Sequence, residues 1–299
     1  MITVRNGLAV TVWDSNGLAV GVQKSMEALL QIRPDIVQLH TSPTERTREP
    51  MGKVLAALPG TRIWVGLPAD HLVKHASQAA KLVKRYVRHT VSLGGEMFVF
   101  NGEKAWKTAG RVDRAKMDEL ARVCIEAARE EAPELALGWT SFDHLGWHHL
   151  PWGVILGENG VDYHLPQNYT AVHPRISTHK AVAARVKAAR ANSLRVPGVL
   201  PCFQQGGDRC IPYGQAHHHS PDAICYLSNQ ASLVSYWALS SRSDDLGVAG
   251  MWAAQALRRL EGSSLGHIED FQRKHGLKAD GIVGRNTMDK INQLLQQAT

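Results

Sequence analysis

The chain has 299 residues, of which 44% are hydrophobic and 20% are charged, a balance that predicts a folded protein with a sizeable core and excludes a largely disordered chain. The formal charge of +7 favours an anionic partner, but no zinc-finger spacing, arginine-rich arm or RNA-binding sheet motif is present, so nucleic acid is not the expected partner. The sequence has no run of 18 or more apolar residues and no secretory signal pattern, so we expect a protein made in the cytoplasm that does not insert into a membrane.

Short apolar runs alternate with amphipathic segments along most of the chain. The predicted strands, in chain order, are 8–13, 35–40, 62–67, 96–101, 135–140, 161–166, 196–201 and 248–253. The segments between them have apolar residues at helical spacing; the clearest are 21–32, 71–91, 114–131, 176–192 and 221–242. A strand followed by a helix, repeated about eight times over about 250 residues, predicts an α/β fold of the (β/α)8 TIM-barrel type. An open doubly wound sheet is the alternative, but no glycine-rich phosphate-binding turn follows the first strand.

The pattern changes after the eighth predicted strand. Residues 258–266 are polar and contain Gly and Ser, which predicts a linker. We therefore expect a TIM-barrel catalytic domain over residues 1–258 and a small α-helical module over residues 263–299. About 35 residues are few for an independent core, so this module is expected to be truncated or to share surface with the barrel.

The C-terminal run FQRKHGLKADGIVGRNTMDKI resembles the peptidoglycan-binding domain type 1 family. The matching positions are Phe271 on a first helix, the loop from Asp280 and Gly281 to Gly284, and Thr287 at the start of a second helix. The resemblance implies that the partner is bacterial peptidoglycan. A helical hairpin that only caps the bottom of the barrel is the alternative.

The active site of such a barrel lies at the carboxyl ends of its strands. Residues at these positions are rich in tryptophan, amides and carboxylates, as in grooves that bind carbohydrate. The candidate substrate contacts are Trp13, Asn101, Trp106, Trp139, Gln167 and Trp252.

Glu103, in the segment FVFNGEKAWK, is the candidate general acid. A glycosidase needs a carboxylic acid with a raised pKa beside the leaving oxygen, and burial near Phe100 and Trp106 would raise the pKa of Glu103. The run FVFNGE resembles the fourth-strand Asp-x-Glu pattern of TIM-barrel lysozymes and chitinase-like hydrolases, which implies that Glu103 is the catalytic acid. Asn101 stands where that pattern has Asp. The alternative is an exposed loop residue next to Lys104.

Three further residues are candidates for the catalytic partner of Glu103. Asp14 and Asp143 follow the first and fifth predicted strands, and either could activate water if it faced Glu103 at roughly 6.5–9.5 Å, the spacing of an inverting pair. Tyr169, after the sixth strand, could position the N-acetyl group of a substrate that serves as its own nucleophile, as in chitinase-like enzymes. An Asx turn at Asp14 and ordinary packing of Tyr169 are the alternatives.

Two histidine clusters, 144–149 and 216–220, suggest a metal site, but their spacing matches no zinc motif, so neither a metal nor another cofactor is expected. Four cysteines are too few for a disulfide-built scaffold, although Cys202 and Cys210 could pair in an oxidising compartment. Acyl transfer through serine or cysteine has no supporting motif.

Taken together, these features predict a peptidoglycan glycoside hydrolase of the lysozyme (muramidase) or N-acetylglucosaminidase type. A catalytic domain with a wall-binding module and no signal peptide resembles phage endolysins, which implies release through a holin pore or action from a particle. Two alternatives remain open: a non-catalytic cell-wall-binding adaptor, and a metal-dependent amidase or peptidase that uses the histidines.

Overall fold

A computed structural model describes residues 5, 7–13, 26–40, 52, 56–142, 149–167, 187, 213–215, 224, 233–239, 245–261 and 268–297. Eight parallel strands form a closed barrel in which each strand pairs with the next and β8 pairs with β1. The strands are β1 Gly7–Trp13, β2 Ile36–His40, β3 Arg62–Pro68, β4 Met97–Asn101, β5 Ala136–Phe142, β6 Tyr163–Gln167, β7 Tyr213–Gln215 and β8 Leu233–Leu239. The predicted TIM-type barrel is confirmed, and its first six strands lie within one or two residues of the predicted ones.

The helices of the described residues follow the strands. Residues 26–32 are helical. The other helices are α1 Asp70–Lys74, a 3-10 turn Ala76–Gln78, α2 Ala79–Ser92, α3 Lys104–Val112, α4 Arg114–Glu131, α5 Trp152–Ile155, α6 Asp245–Glu261, α7 Ile268–Lys274 and α8 Arg285–Gln297. Among the residues described, no helix is both long enough and apolar enough to cross a membrane.

The prediction of the last two strands needs correction. Residues 248–253 belong to α6, and β8 lies within the segment 221–242 that was predicted to be helical. Predicted strand 196–201 lies outside the described residues, and β7 is a different segment. A short apolar run does not by itself distinguish a buried strand from a buried helix. In α6 the buried residues Met251, Ala254 and Leu257 recur every three residues, so a helix buries them all on one side.

A cluster of apolar side chains fills the barrel interior away from the carboxyl ends of the strands. Seven of the eight strands contribute to it, which is possible only inside the barrel. Its members are Ala9, Ile36, Trp64, Met97, Val99, Ala136, Tyr163, Leu165 and Leu233. Toward the carboxyl ends of the strands, the buried side chains become polar, as with Gln38, His40 and Gln167. This change from apolar to polar marks the open end of the barrel as the place for chemistry.

The C-terminal segment and the barrel share one apolar core. Ile268, Phe271, Val283 and Ile291 belong to the same buried cluster as side chains of β1, β8 and α6. Residues 258–261, predicted as the start of a linker, form the last turn of α6. The segment is therefore packed onto the barrel through α6, as expected for a module too small to hold a core alone.

The loop between α7 and α8 is organised by the buried side chain of Gln272. Its Oε1 accepts a hydrogen bond from the Gly281 amide at 2.9 Å, and its Nε2 donates to Asp280 Oδ1 at 3.0 Å and to Thr287 Oγ1 at 3.1 Å. Gly281 has a φ of 69°, a conformation that other residues rarely adopt. The pattern that the sequence resemblance identified is thus one hydrogen-bonded unit.

Candidate active site

Glu103 lies between the end of β4 and the start of α3, at the carboxyl end of the barrel. The Asn101 carbonyl accepts a hydrogen bond from the Ala69 amide at 2.8 Å, and the Gly102 amide donates to the Thr140 carbonyl at 3.2 Å. A Cβ at position 102 would lie 2.4 Å from Cζ2 of Trp139, so only glycine fits there. The backbone leading to Glu103 is thereby fixed on both sides.

Asp70, the first residue of α1, holds the loop after β4 in place. Its carboxylate accepts hydrogen bonds from the Glu103 amide at 2.8 Å and from the Ala105 amide at 3.0 Å. These amides belong to the first turn of α3, where no carbonyl of the helix itself can receive them. Asp70 therefore caps α3 from a neighbouring helix and fixes the point at which Glu103 leaves the backbone.

The side chain of Glu103 is partly buried and bonded to the sixth strand. Gln167, the last residue of β6, donates from Nε2 to Glu103 Oε1 at 2.5 Å. Burial raises the pKa of the Glu103 carboxyl; the hydrogen bond from Gln167 opposes this shift, and the nearby charge of Asp70 adds to it. A carboxyl with a raised pKa keeps its proton closer to neutral pH and can donate it to a leaving group.

Asn101, two residues before Glu103, ends β4. Its Oδ1 is buried and has no hydrogen-bond partner among the described residues. A carboxamide neither ionises nor acts as a base, but this oxygen can accept one hydrogen bond from an N–H or O–H group of a ligand. An unsatisfied buried acceptor is costly, so a ligand that supplies the donor gains affinity there.

A second cluster of polar side chains lies inside the barrel on β2 and β8, the strands on either side of β1. Gln38 Nε2 is 3.1 Å from His40 Nε2, and Ser235 Oγ donates to Gln38 Oε1 at 3.4 Å. Burial lowers the pKa of His40 to about 3, so its ring is neutral and its Nε2 can accept a hydrogen bond from the Gln38 amide. A Cβ at position 66 would lie 2.4 Å from His40 Nε2, so Gly66 makes room for the ring.

Two predicted sugar contacts are buried instead. Trp106 and Trp139 are fully buried in the apolar cluster outside β4 and β5, so neither ring face is open to a sugar. Trp106 Nε1 donates to the Ala69 carbonyl at 2.8 Å, and Trp139 stacks on Phe100 at 5.3 Å between ring centroids. Both indoles therefore pack against the Glu103 loop from the outer side of the barrel.

Trp252 also differs from its prediction, because it lies in α6 and not at a strand end. Its side chain packs against the core cluster shared by the barrel and the C-terminal segment. Trp13 is the last residue of β1, as predicted from the sequence. Its role in substrate binding stays a prediction.

The other predicted catalytic residues lie outside the described part of the chain. These are Asp14, Asp143 and Tyr169, and their proximity to Glu103 stays a prediction. The histidine clusters are also outside it, apart from His149. Within the ranges that the structure describes, no three His, Cys, Asp or Glu side chains come together as metal ligands. Buried Cys124 has a thiol pKa raised by burial to about 12, so it is no nucleophile.

Sequence reasoning missed the role of Asp70. The residue was visible as a carboxylate just after the third strand, at the correct end of the barrel. Its function depends on two backbone amides more than thirty positions away, and no local pattern reports such a contact. Helix α3 was missed too, although Trp106, Ala109 and Gly110 have the spacing of a buried helix face.

Comparison with known proteins supports the description of the barrel and that of the C-terminal segment. Residues 267–291 match a family model described as a putative peptidoglycan binding domain. No curated protein sequence matches the chain.

Solved structures resemble the barrel at low sequence identity. A GH18 chitinase from Pseudoalteromonas aurantia has a TM-score of 0.55 at 13% identity, over 83% of this chain and 99% of that one. A plant class V chitinase mutant from Cycas revoluta, in complex with (GlcNAc)3, has a TM-score of 0.52 at 10% identity, over 83% and 99% of the two chains. A beta-galactosidase from Marinomonas ef1 reaches 0.55 at 11% identity, over 91% of this chain and 61% of that one. The chain thus has the barrel fold of these enzymes, followed by a segment similar to the peptidoglycan-binding family.

Proposed function

We propose that this protein is a glycoside hydrolase that cleaves the β-1,4-linked glycan backbone of peptidoglycan, with Glu103 as the general acid. The single observation that carries the proposal is the environment of Glu103. Its carboxyl lies at the end of β4, is bonded to Gln167, and has a pKa raised by burial. Protonation of a glycosidic oxygen needs such a group.

The polar atoms around Glu103 suit a substrate with N-acetyl groups. Asn101 ends β4 two residues before Glu103, and its buried Oδ1 can accept a hydrogen bond from the N–H of an acetamido group. Since Asn101 carries no charge, it cannot serve as the second carboxylate of a retaining or inverting pair. The proposed mechanism therefore takes its nucleophile from the substrate's own acetamido oxygen or from a water activated by Asp14 or Asp143.

The substrate class is inferred from the C-terminal segment. Its match to the peptidoglycan-binding family supports attachment to the bacterial wall, and the formal charge of +7 favours a wall that carries anionic groups. We further propose that the protein acts on the wall after release from the cell that makes it, as endolysins do. A muramidase and an N-acetylglucosaminidase both fit the site, and they differ only in which of the two sugars provides the new reducing end.

The experiment is digestion of purified peptidoglycan by the wild type and by Glu103→Gln, with reducing ends assayed and fragments identified by mass spectrometry. We expect new reducing ends from the wild type and a rate at least about 100-fold lower from the variant, the usual effect of losing a general acid. Glu134→Gln, a change of the same kind at an exposed position, is the matched control and is expected to keep full activity.

Two other outcomes would replace the proposal. Freed amino groups without reducing ends, abolished by a chelator, would indicate a metal-dependent amidase or peptidase. Binding to sedimented peptidoglycan without any product from the wild type would indicate a non-catalytic adaptor. The mass of the terminal sugar distinguishes the two glycosidase types.

A further inference from the structure

A groove of about 900 Å³ lies beside Glu103, between α1, α3 and the start of α4. This is within the size range of small-ligand sites, about 300–1,000 Å³. The apolar side chains that line it, here called its floor, are those of Val73, Ala105, Ala109 and Met117. Its rim is polar or exposed, made by His71, Lys74, Lys104, Thr108, Val112 and Lys116. The groove thus combines an apolar surface with several cationic groups.

The charge of the groove is available to an anionic ligand. Lys104 and Lys116 form no ion pair with any carboxylate of the described residues, and both side chains are exposed. Three lysines and two aspartates line the groove, so lysine ammonium groups outnumber carboxylates there. Both aspartates accept backbone amides: Asp70 those of Glu103 and Ala105, and Asp113 that of Lys116. Carboxylates of a ligand would therefore meet the lysine ammonium groups.

The groove and Glu103 share one hydrogen-bonded junction, formed by Asp70. Asp70 lines the groove and accepts the Glu103 amide, while the Glu103 side chain is bonded to Gln167, which does not line the groove. The groove thus begins at Lys104, the residue that follows Glu103, next to the point where the proposed function places a sugar ring.

The length of the groove fits a short peptide. Helix α3 has nine residues and forms one wall, so the wall is about 13 Å long at 1.5 Å per residue. An extended peptide spans at most about 3.3–3.6 Å per residue, so four residues also span about 13 Å. Small aliphatic side chains would contact the floor, and the Thr108 hydroxyl can bond a peptide amide or carbonyl.

We propose that this groove binds the acidic peptide side chain of a peptidoglycan strand while the glycan is held at Glu103. The proposal rests on the proposed function and deepens it, because it makes the peptide a determinant of substrate choice. Lys104 and Lys116 contact the peptide carboxylates, and the apolar floor contacts its side chains. The site therefore prefers glycan that carries peptides over the same glycan without them.

The first test compares two substrates, peptide-bearing peptidoglycan fragments and the same fragments with the peptides removed. We expect the double variant Lys104→Gln/Lys116→Gln to lower kcat/KM on the peptide-bearing fragments about fivefold relative to the stripped ones, since two exposed ion pairs are lost. Because both substrates need Glu103, any effect of Lys104 on the acid cancels in the ratio. The control Lys81→Gln/Lys187→Gln makes the same charge change at exposed positions away from the groove and should leave the ratio unchanged.

A second test keeps the two proposals separable. An isolated tetrapeptide released from peptidoglycan is titrated into the full chain by calorimetry, with wild type and both double variants. Binding to the wild type and the control that is weakened in Lys104→Gln/Lys116→Gln supports the groove even if no glycan is cut. An unchanged substrate ratio, or peptide binding that is equal in all three proteins, overturns it; loss of activity in Glu103→Gln on both substrates concerns the hydrolase proposal alone.

Discussion

The carboxyl of Glu103 takes its properties from residues on three different elements. Asp70 at the start of α1 holds its amide, Gln167 at the end of β6 bonds its side chain, and the surrounding structure removes it from water. Burial is the largest cause of its raised pKa, and the negative charge of Asp70 adds to it. A residue in such surroundings lowers the stability of the protein when it is ionised.

The stability of the protein should therefore depend on the charge of Glu103. The folded pKa lies above the ordinary value of 4.5, so the favourable contribution of the protonated group is complete below that pH and is lost as the pH rises through the folded pKa. Glu103→Gln lacks this titration. We expect the variant to gain stability relative to wild type as the pH is raised from 4 to 8, measured by urea unfolding at several pH values.

The control for this comparison is Glu134→Gln at an exposed position. The difference in free energy of unfolding between this variant and the wild type should stay constant over the same pH range. A flat difference for Glu103→Gln as well would show that burial does not shift this carboxyl.

The sequence predicted the positions of part of this candidate site, while the roles of its residues stay predictions. Glu103, Asn101 and Gln167 were found because each follows or ends a clear apolar strand, and strand ends of a barrel meet at one edge. The exposure of Trp106 and Trp139 could not be predicted, because a tryptophan near a strand end can face either the ligand or the core. Contacts such as that of Asp70 with the Glu103 amide depend on the folded chain.

At the scale of elements, α3 is the helix that positions the candidate site. Its first turn is capped by Asp70, and its far end packs closely against the segment before α5. A Cβ at Gly110 would lie 1.9 Å from the His149 carbonyl oxygen, so the helix and this backbone touch directly. A side chain there must push α3 and the backbone of His149 apart.

Replacing this glycine should thus be costly. We expect Gly110→Ala to destabilise the protein by about 1–3 kcal/mol, the usual cost of overpacking, although alanine favours helices. Gly153→Ala in α5 is the matched control, since nothing lies within 4 Å of its added Cβ, and it should be neutral or slightly stabilising. Thermal unfolding of both variants decides the point, and equal stability of the two would contradict the close contact.

The sequence predicted elements well where their periodicity was unambiguous. Helix α4 begins and ends as predicted, because its buried residues recur at helical spacing over eighteen positions and Asp113 caps its start. Helix α6 and β8 were confused because residues 246–257 and 233–239 are uncharged and rich in apolar residues, and a short apolar run taken from either does not distinguish a helix from a strand. The pairing of residues 233–239 with β1 and β7 shows that this segment is the eighth strand.

For the whole molecule, the important feature is the core that the C-terminal segment shares with the barrel. Phe271 and Ile291 of this segment belong to the same buried cluster as residues of β1, β8 and α6. The segment is similar to a wall-binding family, yet it also supplies part of the barrel's packing. The C-terminal segment and the barrel are therefore coupled through packing.

This coupling predicts a single unfolding transition. Phe271→Ala should cost about 3–5 kcal/mol and lower the Tm of the barrel together with that of the segment, because a large buried side chain is lost. Ile282→Ala, in the same segment but 56% exposed, should change stability by less than about 0.5 kcal/mol. Differential scanning calorimetry tests both. A barrel transition that stays in place while the segment melts separately would show independent units.

The barrel closes where β8 pairs with β1, and these strands are more than 200 positions apart in the chain. Bringing such distant segments together has a large entropic cost, so this junction depends on long-range packing. The shared cluster of α6, α7 and α8 lies against both of these strands. The C-terminal helices thus stabilise the pairing of β1 with β8, which closes the barrel. Amide protons of these two strands should therefore exchange with solvent water only when the entire protein unfolds.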